Sequence, residues 1–170
     1  MNVLLDEAGR VAGDPSIGLS LIHRLVPHAP VLYNRKMGRI APAGNNSYID
    51  SIALADQVLA RLRRSMEEQN VWDKTAVIVS ADHGWRPDLW RGGPEWTSED
   101  ASLPSDGTLG VPFFVKMPEQ VAPVVYSRPF DTVVTRAVIT AILERKLSDA
   151  SQLPEIIEQQ TVQATSAGAK

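Results

Sequence analysis

Apolar and polar positions divide the chain into short elements separated by loops rich in proline and glycine. Residues 17–22 (Ile-Gly-Leu-Ser-Leu-Ile) form a short, largely apolar run. Gly18 inside it and Pro27 after it weigh against a helix, so the run predicts a buried strand. A proline-punctuated loop follows, from His23 to Pro42. Asn46-Ser47 then predicts a helix start, and Asp50 stands three residues after Ser47, the spacing of a capping box. Ile52, Ala55, Val58, Leu59, Leu62 and Met66 recur at helical spacing. Arg61, Arg63, Arg64, Glu67 and Glu68 fall mostly on the opposite, watery face. After a turn at Asp73-Lys74, residues 75–80 (Thr-Ala-Val-Ile-Val-Ser) are continuous and β-branched. That is the pattern of a central strand buried on both faces.

The second half continues the rhythm. Ala81-Asp82-His83-Gly84-Trp85 opens a long irregular stretch to about Gly110, which carries Trp85, Trp90 and Trp96 and is acidic on balance. Loops of that length are functional or disordered, and the tryptophans favour order. Residues 111–116 (Val-Pro-Phe-Phe-Val-Lys) predict another strand, with Pro112 near its entry. Asp131 is placed to cap a helix presenting Val134, Ala137, Val138, Ala141 and Ile142. Leu153-Pro154-Glu155 predicts a short last helix with proline in its first turn. Strand, helix and strand in succession indicate an α/β fold, with a mostly parallel sheet and flanking helices. Residues 159–170 are polar and rich in small side chains, so a body over 1–158 followed by a flexible tail is expected.

Composition narrows the classes. The chain has 170 residues and a mass of 18.6 kDa, enough for one ordinary domain and too short for two full-size ones. A hydrophobic fraction of 44% with 22% charged residues excludes a wholly disordered or collagen-like chain. The net charge of −3 offers no basic excess for nucleic acid. There is no cysteine, which removes disulfides, zinc–thiolate sites and cysteine nucleophiles. No run approaches the roughly 18 apolar residues of a spanning helix. Asp6 and Glu7 stand where a signal peptide would need an apolar core. The compartment stays open.

Chemistry gathers at the end of the β-branched run. Ligands of parallel α/β sheets bind beyond the carboxyl ends of strands, and Asp82 and His83 stand at such an end. A carboxylate beside an imidazole suits zinc or manganese. The competing reading has Asp82 capping the loop and His83 making a local hydrogen bond. His23 and His28, five apart in His-Arg-Leu-Val-Pro-His-Ala-Pro, are placed to meet the leaving oxygen of an anionic ester. The alternative is a surface loop with incidental histidines. For the loop tryptophans, anchoring the loop competes with stacking on a ring substrate. Trp72 is expected to pack at the helix–strand turn.

Residues 48–56 (Tyr-Ile-Asp-Ser-Ile-Ala-Leu-Ala-Asp), the helix they open, and the run Thr75 to Gly84 ending in Asp-His-Gly resemble the sulfatase branch of the alkaline phosphatase superfamily. His23 to Pro30 is similar to that family's substrate-contacting His-x-Pro loop, and its histidine spacing resembles that of the lipid-A phosphoethanolamine transferases. Val111 to Pro118 resembles the strand that returns to the sheet after the metal loop. The resemblance spans about residues 18–143. It implies an incomplete alkaline-phosphatase-like sandwich that acts on sulfate or phosphate esters. It implies Asp82 and His83 as ligands of a divalent metal (zinc, manganese or calcium), and His28, with His23, as substrate contacts. The full-length relatives are often extracytoplasmic.

The family's nucleophile is a formylglycine made from cysteine or serine, or a serine or threonine, in an upstream half. Only 16 residues precede the first matched strand here, and they hold no strand–nucleophile–helix unit. The chain is therefore expected to be the C-terminal part of a catalytic domain, inactive alone, whose substrate is an anionic ester. The alternative is a non-catalytic sulfatase-like module that binds a partner or an anionic ligand. In either case an exposed sheet edge is expected to be covered by the missing half or by a second copy.

Overall fold

The computed structural model describes residues 2–28, 30–42, 46–104 and 110–168. It resolves the chain into two compact units, Met1–Trp72 with His83–Gly110, and Asp73–Asp82 with Val111–Lys170.

The first unit is built on two packed helices, α1 (Asn2–Gly13) and α2 (Tyr48–Glu68). Sequence periodicity marks α2 and leaves α1 unread. Leu5, Gly9 and Gly13 lie four apart on one buried face of α1. A methyl group at Gly9 would stand 2.9 Å from Ser65 Oγ, and one at Gly13 would stand 3.2 Å from the Ser65 carbonyl oxygen. The helices thus approach at a distance that only glycine permits without adjustment of α2. Arg61 and Asp6 pair across the contact. Ser47 precedes α2, and its amide donates to Asp50 Oδ2 at 2.9 Å, as the capping spacing predicts. Arg63 lies 5.0 Å over the Trp72 ring beyond the other end of the helix, in keeping with the packing expected of Trp72.

A two-residue hairpin, β1 (Tyr33–Asn34) and β2 (Arg39–Ile40), pairs Tyr33 with Ile40. Gly38 turns it at φ +65°, a left-handed conformation that favours glycine. Tyr33 is buried, and its hydroxyl accepts from Gln57 of α2. The run 17–22 is not a strand. No described strand pairs with it, and Leu19 and Leu21 are 62% and 94% exposed. Apolar content alone cannot make a strand where no neighbour supplies the ladder.

In the second unit β3 (Val77–Ser80) and β4 (Phe113–Lys116) pair antiparallel, with Val77 opposite Lys116 and Ser80 opposite Phe113. The expected mostly parallel sheet and sandwich are not what the described residues form. They carry two small antiparallel sheets of two strands each, among helices. With one neighbour, β3 is half-buried rather than buried on both faces. Its β-branched run reports a preference for pleated backbone and carries no information on strand direction.

Helices α4 (Val134–Leu143) and α5 (Leu153–Gly168) supply most of this unit's core: Val134, Val138, Leu153 and Ile157, with Met117, Leu147 and Ala150. Asp131 sits one turn ahead of α4, its carboxylate accepting from the Val133 amide at 2.9 Å. The last helix is longer than its start suggests, reaching Gly168 through the segment expected to be a tail. No helix among the described residues is long and apolar enough to cross a membrane.

Candidate functional site

Asp82 and His83 follow β3 and are both exposed. Asp82 ends a segment of the second unit, and His83 begins the stretch that packs with α2 in the first. The His83 Nδ1 lies 2.9 Å from the Gly84 carbonyl oxygen. A carbonyl can only accept, so this contact requires the proton on Nδ1. This is the local hydrogen bond of the competing reading. It is also the bond that orients ligating imidazoles, since a ring donating through Nδ1 can ligate only through Nε2.

A carboxylate and an imidazole are suitable donors for a divalent metal, but two are too few for a structural or catalytic shell. Among the described residues no group of three or more His, Asp or Glu side chains stands close enough to hold an ion. The donor types fit a metal; the donor number does not.

His23 and His28 lie exposed in the coil between α1 and β1. The His28 amide donates to the Leu25 carbonyl at 2.8 Å. Its ring meets Trp90 edge-on, with centroids 5.4 Å apart. His28 is thus brought to the stretch that follows His83, within one unit, while Asp82 belongs to the other.

The described part of the stretch expected to be irregular is anchored, and sequence reasoning missed how; residues 105–109 lie outside the described residues. It contains α3 (Ser98–Ala101), capped by Thr97, whose amide donates to Asp100 Oδ2 at 2.9 Å. Trp85 stacks on Tyr48, the first residue of α2, at 3.9 Å, and lies nearly parallel to Trp96 at 6.3 Å. Arg91 stands 5.6 Å over the Trp96 ring. These contacts are those of the anchoring reading.

Polar contacts reinforce the rings. Arg35 donates to Asp50 Oδ1 at 3.0 Å and makes a two-pronged pair with Glu99. The Ser47 hydroxyl also donates to Glu99, and the Tyr48 amide donates to Asp100 Oδ1 at 2.7 Å. Three carboxylates (Asp50, Glu99 and Asp100) therefore surround the α2 N-terminus, where the helix dipole favours negative charge. Asn46, fully buried, donates to the Val31 and Pro42 carbonyls, both at 3.0 Å, and accepts from Asn34 at 3.1 Å.

The electrostatics follow. Hydrogen bonds from Arg35 and then Ser47 lower the Glu99 carboxyl from the ordinary 4.5 to about 2. The same bond to Glu99 is the largest of the effects that raise Arg35. Burial raises the Tyr48 phenol. One signal for this network was present in the sequence: Thr97-x-x-Asp100 repeats the spacing of Ser47-x-x-Asp50. What the spacing does not reveal is that carboxylates of the second box bond to the start of α2.

A family model described as Sulfatase matches residues 15–143. No curated protein and no solved structure gave a match. The matched span takes in the histidine loop, α2, β3 with its Asp-His-Gly terminus, the anchored stretch, β4 and α4: the chain belongs to the sulfatase family.

Proposed function

We propose that this chain supplies part of a metal-dependent site for hydrolysis or transfer of a sulfate or phosphate ester. Asp82 and His83 contribute two metal ligands. His28, with His23 as a weaker second, faces the leaving oxygen of the anionic ester, where an imidazole N–H stabilises developing charge. The nucleophile and the remaining ligands come from residues outside these 170. The observation that carries the reading is the family match across an Asp-His-Gly segment that begins one residue beyond β3. The Nδ1 bond of His83 supports it, because that bond selects Nε2 for ligation.

Calorimetric titration of the chain with manganese or zinc tests it. Binding weaker than micromolar, lost in both Asp82→Ala and His83→Ala, is the expected result. Sub-micromolar binding abolished by His83→Ala would place a complete shell on this chain and overturn the divided site. Binding untouched by either substitution would overturn the ligand assignment. Aryl sulfate and phosphate ester assays with either metal are expected to show no turnover.

One observation favours a second reading, a module that docks through its sheet. Among the described residues β3 and β4 each pair on one side only, and Phe114 on β4 is 65% exposed. Such an edge is a template for a further strand, from the rest of a larger domain or from a second copy. A folded monomer in sedimentation, binding no metal, would overturn this version.

A further inference from the structure

The stretch that carries His83 is pinned to α2 near both of its ends, and the two pins share one helical turn. Near the first end, Trp85 lies two residues after His83 and stacks on Tyr48 at 3.9 Å. Near the second, Asp100 accepts the Tyr48 amide at 2.7 Å, and Glu99 accepts from Ser47 and Arg35. Trp96 joins the ends by lying parallel to Trp85. The four-residue helix α3 is far too short to hold itself in water, so its place depends on these contacts. Between the pins the chain is an arc with Asp88, Leu89 and Arg91 in solvent and Gly92 at φ +74°. Local contacts of this kind set the opening free energy of a segment separately from that of the whole fold.

We propose that Tyr48 and Arg35 are positioning residues for His83, forming a clasp that fixes the His83–Asp100 stretch on the first turn of α2. Tyr48 acts through Trp85, and Arg35 acts through Glu99. The clasp serves the metal-ligand role assigned to His83 above and so rests on that reading for its purpose, though its geometry does not depend on a metal. Releasing it should displace His83 and the Trp90 wall of His28 while α1 and α2 stay packed.

The full chain has three histidines, so their ring resonances are separable by NMR. His83→Ala assigns one of them. In Tyr48→Ala the His83 and His28 signals are expected to shift or broaden while His23 stays in place. Tryptic cleavage after exposed Arg91 should quicken by about tenfold in the same variant, the change that a loss of one decade in closing constant produces. Tyr48→Phe keeps the ring stack and should match the parent in both readouts. Arg35→Met should act in the same direction as Tyr48→Ala and stands in for it should that variant fail to fold. Unchanged His83 signals and cleavage in folded Tyr48→Ala and Arg35→Met would overturn the clasp. So would movement of all three histidines together with a collapsed Tm in both, which would make the residues merely structural. Adding zinc to the parent separates the two readings. A clasp that responds to the variants beside a His83 signal indifferent to zinc would uphold the positioning and overturn the metal role.

Discussion

The interiors of the two units rest on different chemistry. The second unit has an aliphatic core, with Met117, Val138 and Leu147 almost wholly shielded. The first unit buries Leu5, Val31, Tyr33, Val58 and Met66, but beside them it also buries polar side chains at the start of α2: Asn46, Ser47, Asp50, Ser51 and, from far along the chain, Asp100. An aliphatic core tolerates changes of shape that keep volume. A hydrogen-bonded interior tolerates shape-matched changes poorly, because each lost partner leaves a buried group unpaired. The first kind of interior supplies stability and the second supplies position. The stretch that follows the Asp-His-Gly segment sits on the second.

Substitutions should expose the contrast. Asn46→Leu keeps size but orphans the buried Val31 carbonyl, at about 1–3 kcal/mol in chemical denaturation. Leu147→Ala should cost about 2–5 kcal/mol through the cavity it leaves, whereas Leu147→Met should cost under about 1.5 kcal/mol. Equal tolerance of Asn46→Leu and Leu147→Met would erase the distinction. Gly9→Ala should show a coupling of about 1 kcal/mol with Ser65→Gly in a double-mutant cycle, since the added methyl meets the serine side chain.

The smallest effect is expected from acid. Glu99 titrates lower in the folded state than in the unfolded one, so its contribution is present above pH 4.5 and is lost as pH falls toward 2. Partial exposure of the pair screens it and keeps the effect small. All four tryptophans lie in the first unit, so selectively excited tryptophan fluorescence reads that unit alone. A fluorescence change through this window in the parent, absent in Glu99→Gln, is the expected outcome.

What the sequence disclosed follows the range of each interaction. Helix α2 was legible because its cap and its periodicity are local. Strands β3 and β4 were legible in place but not in pairing, because a run of β-branched residues carries no direction. Helix α1 was hidden by Gly9 and Gly13, which lower helix propensity and are explained only by the neighbour they approach. The run 17–22 has the composition of a strand without a described partner. Asp82 and His83 were legible as a motif, whereas the His83 tautomer depends on one carbonyl. Arg35 and Glu99, and the tie of Tyr48 to Asp100, escaped because Arg35 and Glu99 are 64 residues apart and Tyr48 and Asp100 are 52 apart.

The bond from the Tyr48 amide to Asp100 has a consequence for the order of assembly. The first amides of a helix have no acceptor within it. Here one of them waits for a residue that leaves the ribosome 52 positions later. Ser47 and Asp50 close the first turn of α2 locally, but its Tyr48 amide gains this acceptor only when Asp100 arrives. The stretch bearing His83 thus supplies the last backbone partner that the start of α2 takes up.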